Sequence, residues 1–316
     1  MTSDRAMTTT PEDTVPAAAD GTTVDARRRL RRAFRAGVGA QRPARRRPKP
    51  ILAFCAVWLG LMGLIAVFAF ALPIADPSVV VASPNLGPSW TAEFLGTDAI
   101  GRSMVSRLAH GARISFTISI LVTVVAMVVG GAVGLLSAYA RGAVTFVADT
   151  VANTILAMPG LLLLLAVVVV FEPSVPVLVG GIAFLYLPNF MRVTRATAIS
   201  LIEREYVVAA RALGATRSRI ILRELLPNTA VALVTYAAIA MPGAMIAEGG
   251  LSYLGFGVQA PTPSWGQMIA QGQQQLTFAP WPAIIPCVVF SITIFALYTL
   301  GDWLRARLDV RGTAAV

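Results

Sequence analysis

Long runs without a charged residue alternate with short Arg-rich segments over most of this chain. Five such runs hold 19 to 27 residues each and cover residues 51–75, 114–140, 150–171, 173–191 and 225–247. A helix needs about 20 apolar residues to cross the hydrocarbon core of a bilayer. A sixth run, 249–301, begins with many Gln, Pro and Gly residues, so only its part 281–300 is expected to span. The pattern therefore predicts six transmembrane helices.

The positions of the Arg and Lys residues predict the orientation of these helices. Twelve of the 26 lie before residue 51, and seven lie between the fourth and the fifth run. Only Arg102, Arg107 and Arg113 fall on the opposite side. Because positive residues accumulate in the cytoplasmic segments of membrane proteins, both termini are predicted to be cytoplasmic.

The N-terminal tail, residues 1–48, is basic and rich in Thr, Ala and Pro, and it is expected to be disordered. A basic block can bind nucleic acid. We interpret this one as a cytoplasmic flank that orients the first helix and contacts anionic lipid, because a charge-free run follows it directly. The rest divides into a first transmembrane helix with an external loop (49–110), a transmembrane core (111–303) and a cytoplasmic C-terminal tail (304–316).

The composition agrees with a multi-pass protein of the plasma or inner membrane. Hydrophobic residues make up 56% of the 316 residues and charged residues make up 13%. Soluble domains carry about 25% charged residues. The composition therefore excludes a soluble enzyme.

The sequence offers few groups for chemistry or for powering transport. Its one lysine, Lys49, lies in no Gly-rich phosphate-binding loop, and its one histidine, His110, has no Cys and His cluster around it for zinc. Asp149, Glu172 and Glu248 are predicted at the ends of spans, whereas a carrier coupled to ions usually keeps such a residue inside a span. The chain is therefore expected to be non-catalytic, to bind no cofactor or metal itself, and to take its energy from a partner.

The segment between the fourth and the fifth span, residues 192–228, predicts a helix, a break and a second helix. Glu203 and Glu205 are predicted in the first turn, where acidic residues favour the positive end of a helix. Gly214 suits a left-handed stop, and the Thr216 side chain can cap the helix that follows.

The second helix of this segment has an apolar stripe and a predicted end. Ile220, Ile221 and Leu225 form the stripe, and Pro227 is expected to end the helix. This composition is equally typical of an amphipathic hairpin on the lipid surface and of a hairpin that docks on a partner protein.

The order of residues in this segment carries a family resemblance. The segment reads Glu205-Tyr206-Val207-Val208-Ala209-Ala210-Arg211-Ala212-Leu213-Gly214-Ala215, and later Leu226-Pro227-Asn228. This resembles the EAA loop of the transmembrane subunits of ATP-binding-cassette (ABC) importers, which would cover residues 203–228 here. The resemblance implies that the residues coupling this chain to a cytoplasmic ATPase are Glu205, Ala209, Ala210, Arg211, Gly214 and Ala215. Glu224 departs from the family, which often has His before the final Leu-Pro-Asn.

Three further stretches resemble the C-type permeases of the dipeptide, oligopeptide and nickel importers. The first stretch, before the second span, contains Leu95-Gly96-Thr97-Asp98, Gly101-Arg102 and Gly111-Ala112-Arg113. The second stretch contains Leu251-Ser252-Tyr253-Leu254-Gly255 and Pro261-Thr262-Pro263-Ser264-Trp265-Gly266. The third stretch, near the C-terminus, contains Gly301-Asp302 and Leu304-Arg305. With the EAA loop they cover residues 95–311 in order. The resemblance implies an all-α type I ABC importer permease fold with six transmembrane helices.

The resemblance also implies partners and a function. The partners are a B-type permease subunit, one or two ABC ATPase subunits that bind ATP and Mg²⁺, an extracytoplasmic substrate-binding protein and the lipid bilayer, and no nucleic acid is among them. The implied function is one half of the translocation path of an ATP-driven dipeptide or oligopeptide importer. The alternatives are import of another small solute such as nickel chelates or haem, a stand-alone channel or carrier, and a membrane scaffold.

Four residues are candidates for an external gate or for contact with the binding protein: Asp98, Arg102, Arg107 and Trp265. The three charged residues precede the second span on the predicted outer side. Trp265 belongs to the polar stretch that would form the external mouth of the path. The alternative for the charged residues is that they pair with one another locally.

Overall fold

The computed structural model describes residues 49–90, 93–140 and 142–313, so the predicted N-terminal tail, 1–48, lies outside the described residues. Within these ranges the chain is helical, and only two isolated β-bridges, in the loop before α2, accompany the helices. The helices are α1 (Lys49–Phe68), α2 (Met104–Ala140), α3 (Ala143–Ala157), α4 (Gly160–Val170), α5 (Val175–Ile202), α6 (Glu205–Ala212), α7 (Leu226–Tyr253), α8 (Trp265–Gln273) and α9 (Trp281–Thr313). A short α-helical turn (Arg217–Arg219) and a π-helical segment (Ile220–Leu225) lead into α7.

Five helical elements among the described residues are long and apolar enough to cross a membrane. A sixth crossing exists if α3 and α4 together count as one span, because these two helices pass the same test as a pair bent by 95°. The fold class is therefore the predicted all-α, multi-pass one. The predicted number of six crossings requires that the bent pair be one of them.

The third span differs from its prediction as one continuous helix over residues 150–171, and that prediction is wrong. Pro159 has no backbone N–H and disfavours the helical conformation of the residue before it. Met158 is accordingly extended, with φ −87° and ψ 141°, and it separates α3 from α4. A run without charges does not reveal such a break, because the break depends on a single backbone position.

The first two spans differ from their predictions in their limits. α1 ends at Phe68, seven residues before the end of the charge-free run, and the chain continues in turns. α2 begins at Met104, ten residues before its run, so that Arg107 and Arg113 lie inside the helix rather than in a loop.

Glycines bring α2 and α5 unusually close together. A Cβ atom at Gly130 would lie 2.7 Å from the Leu187 carbonyl oxygen, and one at Gly134 would lie 2.6 Å from that of Met191. Side-chain atoms do not fit at such distances, so the two backbones are in direct contact. The two glycines therefore let α2 and α5 pack closely.

The apolar core extends along α2, α5 and α7. Its central cluster contains fully buried side chains such as Val122 from α2 and Ile182 from α5. A second cluster surrounds Trp265 of α8, and a third surrounds Val207 of α6. Because Val207 precedes α7 and Trp265 follows it, the two outer clusters mark opposite ends of this long helix.

Candidate functional site

One candidate site is the segment after α5, residues 203–228, which we call the hairpin. Its inner face carries three fully buried apolar side chains, Val207, Ile220 and Leu225. They pack with Leu135 of α2 and Ala198 of α5. The prediction of an apolar stripe in this segment is confirmed, and the stripe attaches the hairpin to the helix bundle.

The turn of the hairpin is closed by backbone hydrogen bonds. Gly214 has φ +81°, which is the left-handed conformation that glycine adopts readily. The N–H of Ala215 donates to the Ala210 carbonyl and that of Gly214 donates to the Arg211 carbonyl, both at 3.0 Å, as in a Schellman motif. The Thr216 hydroxyl oxygen then accepts the N–H of Arg219 at 3.4 Å. The predicted stop and the predicted cap are both confirmed.

The outer face of the hairpin presents exposed apolar side chains. Leu213 is 89% exposed, and Tyr206, Val208 and Leu222 are exposed as well. No atom lies within 4 Å of a Cβ built on Gly214, so the turn faces open space. This surface can receive another molecule without any rearrangement.

The residues predicted to couple to an ATPase come together on this outer surface. α6 and the turn after it hold all six, namely Glu205, Ala209, Ala210, Arg211, Gly214 and Ala215. Four of them are exposed, and Ala210 and Ala215 are partly buried. Their proximity follows from sequence order, whereas their coupling role stays a prediction.

Two details of the hairpin contradict the sequence prediction. Glu203 caps the end of α5 and is not in the first turn of α6, which begins at Glu205. Pro227 does not end the second helix but lies in the first turn of α7, where a missing N–H is tolerated.

The π-helical segment explains how the chain passes Pro227. The N–H of Leu226 donates to the Ile221 carbonyl, five residues back, which shifts the hydrogen-bond register just before the proline. The helical path consequently runs without interruption from Arg217 to Tyr253 over 37 residues. The hairpin and the far end of α7 therefore belong to one continuous helical element.

A cavity of about 220 Å³ opens beside the start of the hairpin, with Thr145 and Glu203 among its lining residues. Arg195, which also lines it, forms an ion pair with Asp149 of α3 at 2.5 Å. This pair fastens α3 to α5. Because the charge of Arg195 is paired with Asp149, it does not indicate a ligand for the cavity.

The predicted external charges lie at the opposite end of the bundle and form a buried network. Asp98 accepts the Arg102 Nε–H at 2.6 Å and a further hydrogen bond from Arg107. The Gln271 side-chain oxygen of α8 accepts from Arg107 at 2.9 Å and from Arg102 at 3.3 Å. Less than a tenth of the surface of each charged residue is exposed. The structure thus contains the local pairing, and the role of these residues as a gate stays a prediction.

The ionisation of Asp98 follows from this network. Burial raises the pKa of the Asp98 carboxyl, but hydrogen bonds from Arg102 and from the Ile100 backbone, together with the charge of Arg107, outweigh the effect of burial. The pKa is therefore held below its usual value, and the carboxylate remains charged among its partners.

Trp265, the fourth external candidate, anchors α8 in the core. Its side chain is fully buried, and its indole N–H donates to the Leu108 carbonyl of α2 at 3.1 Å. The ring also meets those of Phe116 and Phe290 edge-on, at centroid distances of 5.8 and 6.1 Å. A contact with a binding protein would require this side chain to leave its pocket, so that prediction rests on the family resemblance alone.

Glu248 is a buried acidic residue that sequence reasoning did not single out as a candidate. It was predicted at the end of the fifth span, yet it lies inside α7 with 0% of its surface exposed. The Ser252 hydroxyl donates to Glu248 Oε1 at 2.8 Å, the Ser115 and Ser264 hydroxyls lie beside the carboxyl group, and Oε2 is buried without a hydrogen-bond partner among the described residues. Glu248 lies five residues before the last residue of α7, Tyr253, so its place near the end of the span agrees with the prediction, whereas its complete burial within the protein was not predicted. The available signal was a Glu followed four residues later by Ser, within a charge-free helical pattern.

Metal binding finds no support in the part of the chain that the structure describes. These residues contain no group of three or more His, Cys, Asp and Glu side chains that could hold a metal ion.

Comparison with known sequences places residues 130–311 in the family described as binding-protein-dependent transport system inner membrane component. The dipeptide transport system permease protein DppC of Alkalihalophilus pseudofirmus is 32% identical over 78% of this chain and 81% of its own length. The glutathione transport system permease protein GsiD of Pectobacterium atrosepticum is 34% identical over 71% of this chain and 74% of its own length.

Comparison with solved structures agrees at the level of the fold. A chain from an inward-facing crystal form of the MetNI methionine ABC transporter superposes with a TM-score of 0.53 at 19% sequence identity. The match covers 65% of this chain and 97% of the other. The helical arrangement described above is therefore also present in a distant relative.

Proposed function

The chain belongs to the family of binding-protein-dependent transport system inner membrane components, as an ABC importer permease subunit, and on this basis we propose that it forms half of the translocation path of an ATP-driven peptide importer. It is a multi-pass protein of the inner membrane. Permease subunits are non-catalytic and work with ATPase and binding-protein partners. In our proposal, separate ATPase subunits bind ATP and Mg²⁺, and a B-type permease supplies the other half of the path.

The observation that carries this proposal is the two-sided character of the hairpin. Its inner face is attached to α2 and α5 by buried apolar side chains, while its outer face exposes apolar ones, above all Leu213. Exposed apolar surface is unfavourable in water, and burial against a partner recovers about 25 cal/mol per Å². The small side chains of Ala209 and Ala212 beside Gly214 let a partner surface approach closely. These features support docking of an ATPase on the hairpin.

Peptides are the proposed substrates because the two relatives compared above carry a dipeptide and glutathione, which are both short peptides. Uptake of a labelled dipeptide by the complete transporter tests this substrate class. We expect excess glutathione or unlabelled dipeptide to compete, and a nickel chelate or haem not to compete. Competition by the chelate or by haem alone would favour import of another small solute.

Gly214 offers a test of coupling, because its left-handed backbone is required while its surroundings are empty. A β-branched residue such as Val is disfavoured in this conformation by about 1–2 kcal/mol or more. We expect Gly214→Val to distort the turn and to lower both dipeptide uptake and substrate-stimulated ATPase activity by about tenfold, which corresponds to 1.4 kcal/mol. Both rates are measured on the transporter reconstituted in vesicles.

Gly214→Asn is the matched control for this experiment. Asn adds a side chain of similar size but tolerates the left-handed conformation, and no neighbour opposes it. We expect it to keep most of the activity. Wild-type uptake and ATPase rates in Gly214→Val, at a normal level of insertion, would refute the coupling role of the hairpin.

A stand-alone channel or carrier is the alternative from a different functional class. Such a protein would transport the dipeptide after purification as a single chain in vesicles, without ATP and without any partner. We expect no transport under these conditions. Transport by the single chain would overturn the requirement for partners.

A further inference from the structure

Glu248 is a buried carboxyl group surrounded by hydroxyl groups from three parts of the fold. Ser252 belongs to its own helix, α7, Ser115 belongs to α2, and Ser264 is the N-cap residue of α8. The described residues supply no cationic side chain that pairs with it. The carboxyl group therefore lies between side chains of α2, α7 and the start of α8, with a hydrogen bond from Ser252 at Oε1 and a buried Oε2 that has no partner among the described residues.

The serine oxygens around Glu248 also accept hydrogen bonds from the backbone of α8. Ser115 Oγ accepts the N–H of Trp265, and Ser264 Oγ accepts that of Gln267, both at 3.3 Å. Since each oxygen accepts from the backbone, its own hydrogen is free to be donated to Glu248. Glu248 thus offers its free Oε2 to the hydroxyls that meet the first turn of α8, at the point where α2 and α7 also come together.

The backbones of α7 and α8 also touch next to this network. A Cβ atom at Gly266 of α8 would lie 2.3 Å from the Gly249 carbonyl oxygen of α7. A Cβ atom at Gly249 would lie 2.6 Å from the Phe290 ring. Because the backbones of α7 and α8 are in direct contact and Phe290 of α9 packs on Gly249, we expect a displacement of the end of α7 to move α8 as well.

The same helix reaches the hairpin at its other end. The uninterrupted helical path from Arg217 to Tyr253 has 37 residues and a length of about 55 Å at 1.5 Å per residue. Its first turns form the second half of the hairpin, and its last turns contain Glu248. This continuous helical path, which contains Pro242 within α7, connects the two distant sites.

From these contacts we infer that Glu248 is a positioning residue that fixes α8 to α7, so that movement of the hairpin is passed to the segment around α8. This inference rests on the proposed function, in which an ATPase moves the hairpin. Glu248 touches no substrate in this account. It acts by keeping the first turn of α8 attached while α7 moves.

Substitution of Glu248 tests the inference in the reconstituted transporter. Glu248→Ala removes the acceptor shared by the hydroxyls, whereas Glu248→Gln keeps one oxygen acceptor in place. We expect Glu248→Ala to lower the amount of dipeptide imported per ATP hydrolysed between about twofold and thirtyfold. Glu248→Gln should restore most of this ratio. If the role of Glu248 is purely structural, uptake and ATPase activity will fall together, in proportion to the amount of folded transporter. This result would overturn the inference.

A labelling experiment follows the movement itself. Phe278, beyond α8, is 85% exposed, and the two native cysteines, Cys55 and Cys287, are free and can be replaced by Ser. With Phe278→Cys as the single thiol, we expect its labelling rate to change when nucleotide is trapped, and we expect Glu248→Ala to abolish that change. The same nucleotide-dependent change in both proteins would contradict the inference.

The wild-type control separates this inference from the proposed function. If the wild-type transporter imports dipeptide at the expense of ATP, a normal transport ratio in Glu248→Ala overturns the positioning role alone. If the wild-type transporter does not use ATP for uptake, the proposed function is overturned, and the inference that rests on it is overturned as well.

Discussion

The two ends of α7 differ in which side chains they expose and which they bury. At the hairpin end, apolar side chains such as Leu213 are exposed, and the space around Gly214 is empty. At the α8 end, charged and polar side chains such as Asp98 and Glu248 are buried and hydrogen-bonded within the chain. The hairpin end is therefore built to receive something from outside the chain. The α8 end buries its charged groups within the chain, and we expect its residues to determine stability and internal connection.

The largest effect on stability is expected from the buried charges of the α8 end. Asp98→Asn leaves Arg102 and Arg107 buried beside each other without a counter-charge, and breaking a buried ion pair in this way destabilises by about 3–5 kcal/mol. The thermal unfolding of the solubilised transporter measures this effect.

Asp76→Asn is the matched control for this prediction. It removes an exposed acidic residue from the same loop, which accepts a hydrogen bond from the Ser78 backbone, and we expect its effect on thermal unfolding to be much smaller than that of Asp98→Asn. Equal effects of the two substitutions would mean that the buried network does not stabilise the α8 end.

A smaller effect is expected at the contact between α7 and α8. Gly266→Ala places a methyl group against the Gly249 backbone, and overpacking of this kind destabilises by about 1–3 kcal/mol. Gly250→Ala is the control, because the same methyl group meets no atom within 4 Å there. The two variants are compared by thermal unfolding. A midpoint for Gly266→Ala that equals that of Gly250→Ala would show that the close contact is absent in solution.

The smallest effect on stability, with a large effect on transport, is expected at the hairpin. Leu213→Asp changes an exposed side chain, so the free energy of unfolding should change by no more than about 0.5 kcal/mol. A charge placed in an apolar docking surface should nevertheless abolish ATP-driven uptake, because a buried charge without a partner is strongly unfavourable. Normal uptake in this variant would mean that the exposed apolar surface of the hairpin is not a docking surface, and the proposed difference between the two ends of α7 would be lost.

The hairpin could be predicted from the sequence because its geometry is local. The left-handed turn at Gly214 and the cap by Thr216 depend on residues within a few positions of each other. Part of the inner face follows from Ile221 and Leu225, which lie four positions apart and therefore on one side of a helix. The exceptions, Glu203 and Pro227, concern the limits of helices, which depend on how α5 ends and on a π-helical register shift.

The α8 end could be predicted only in part, because its geometry is tertiary. Asp98, Arg102 and Arg107 were recognised, but their burial depends on Gln271, which lies more than 160 positions away. The burial of Glu248 depends on hydroxyls from α2 and α8 that no local pattern brings together. Local pairing was therefore a stated alternative, whereas the network around Glu248 was not foreseen.

Site-specific crosslinking from the hairpin tests the central claim most directly, namely that the exposed apolar face of the hairpin docks on an ATPase. A photoreactive residue in place of Leu213, in the complete transporter in native membranes, should form a crosslink to the ATPase subunit. The same residue in place of Phe278, equally exposed beyond the other end of α7, should form none. Crosslinks from position 213 to lipid alone would contradict the account, because they would mean that the hairpin lies on the membrane surface.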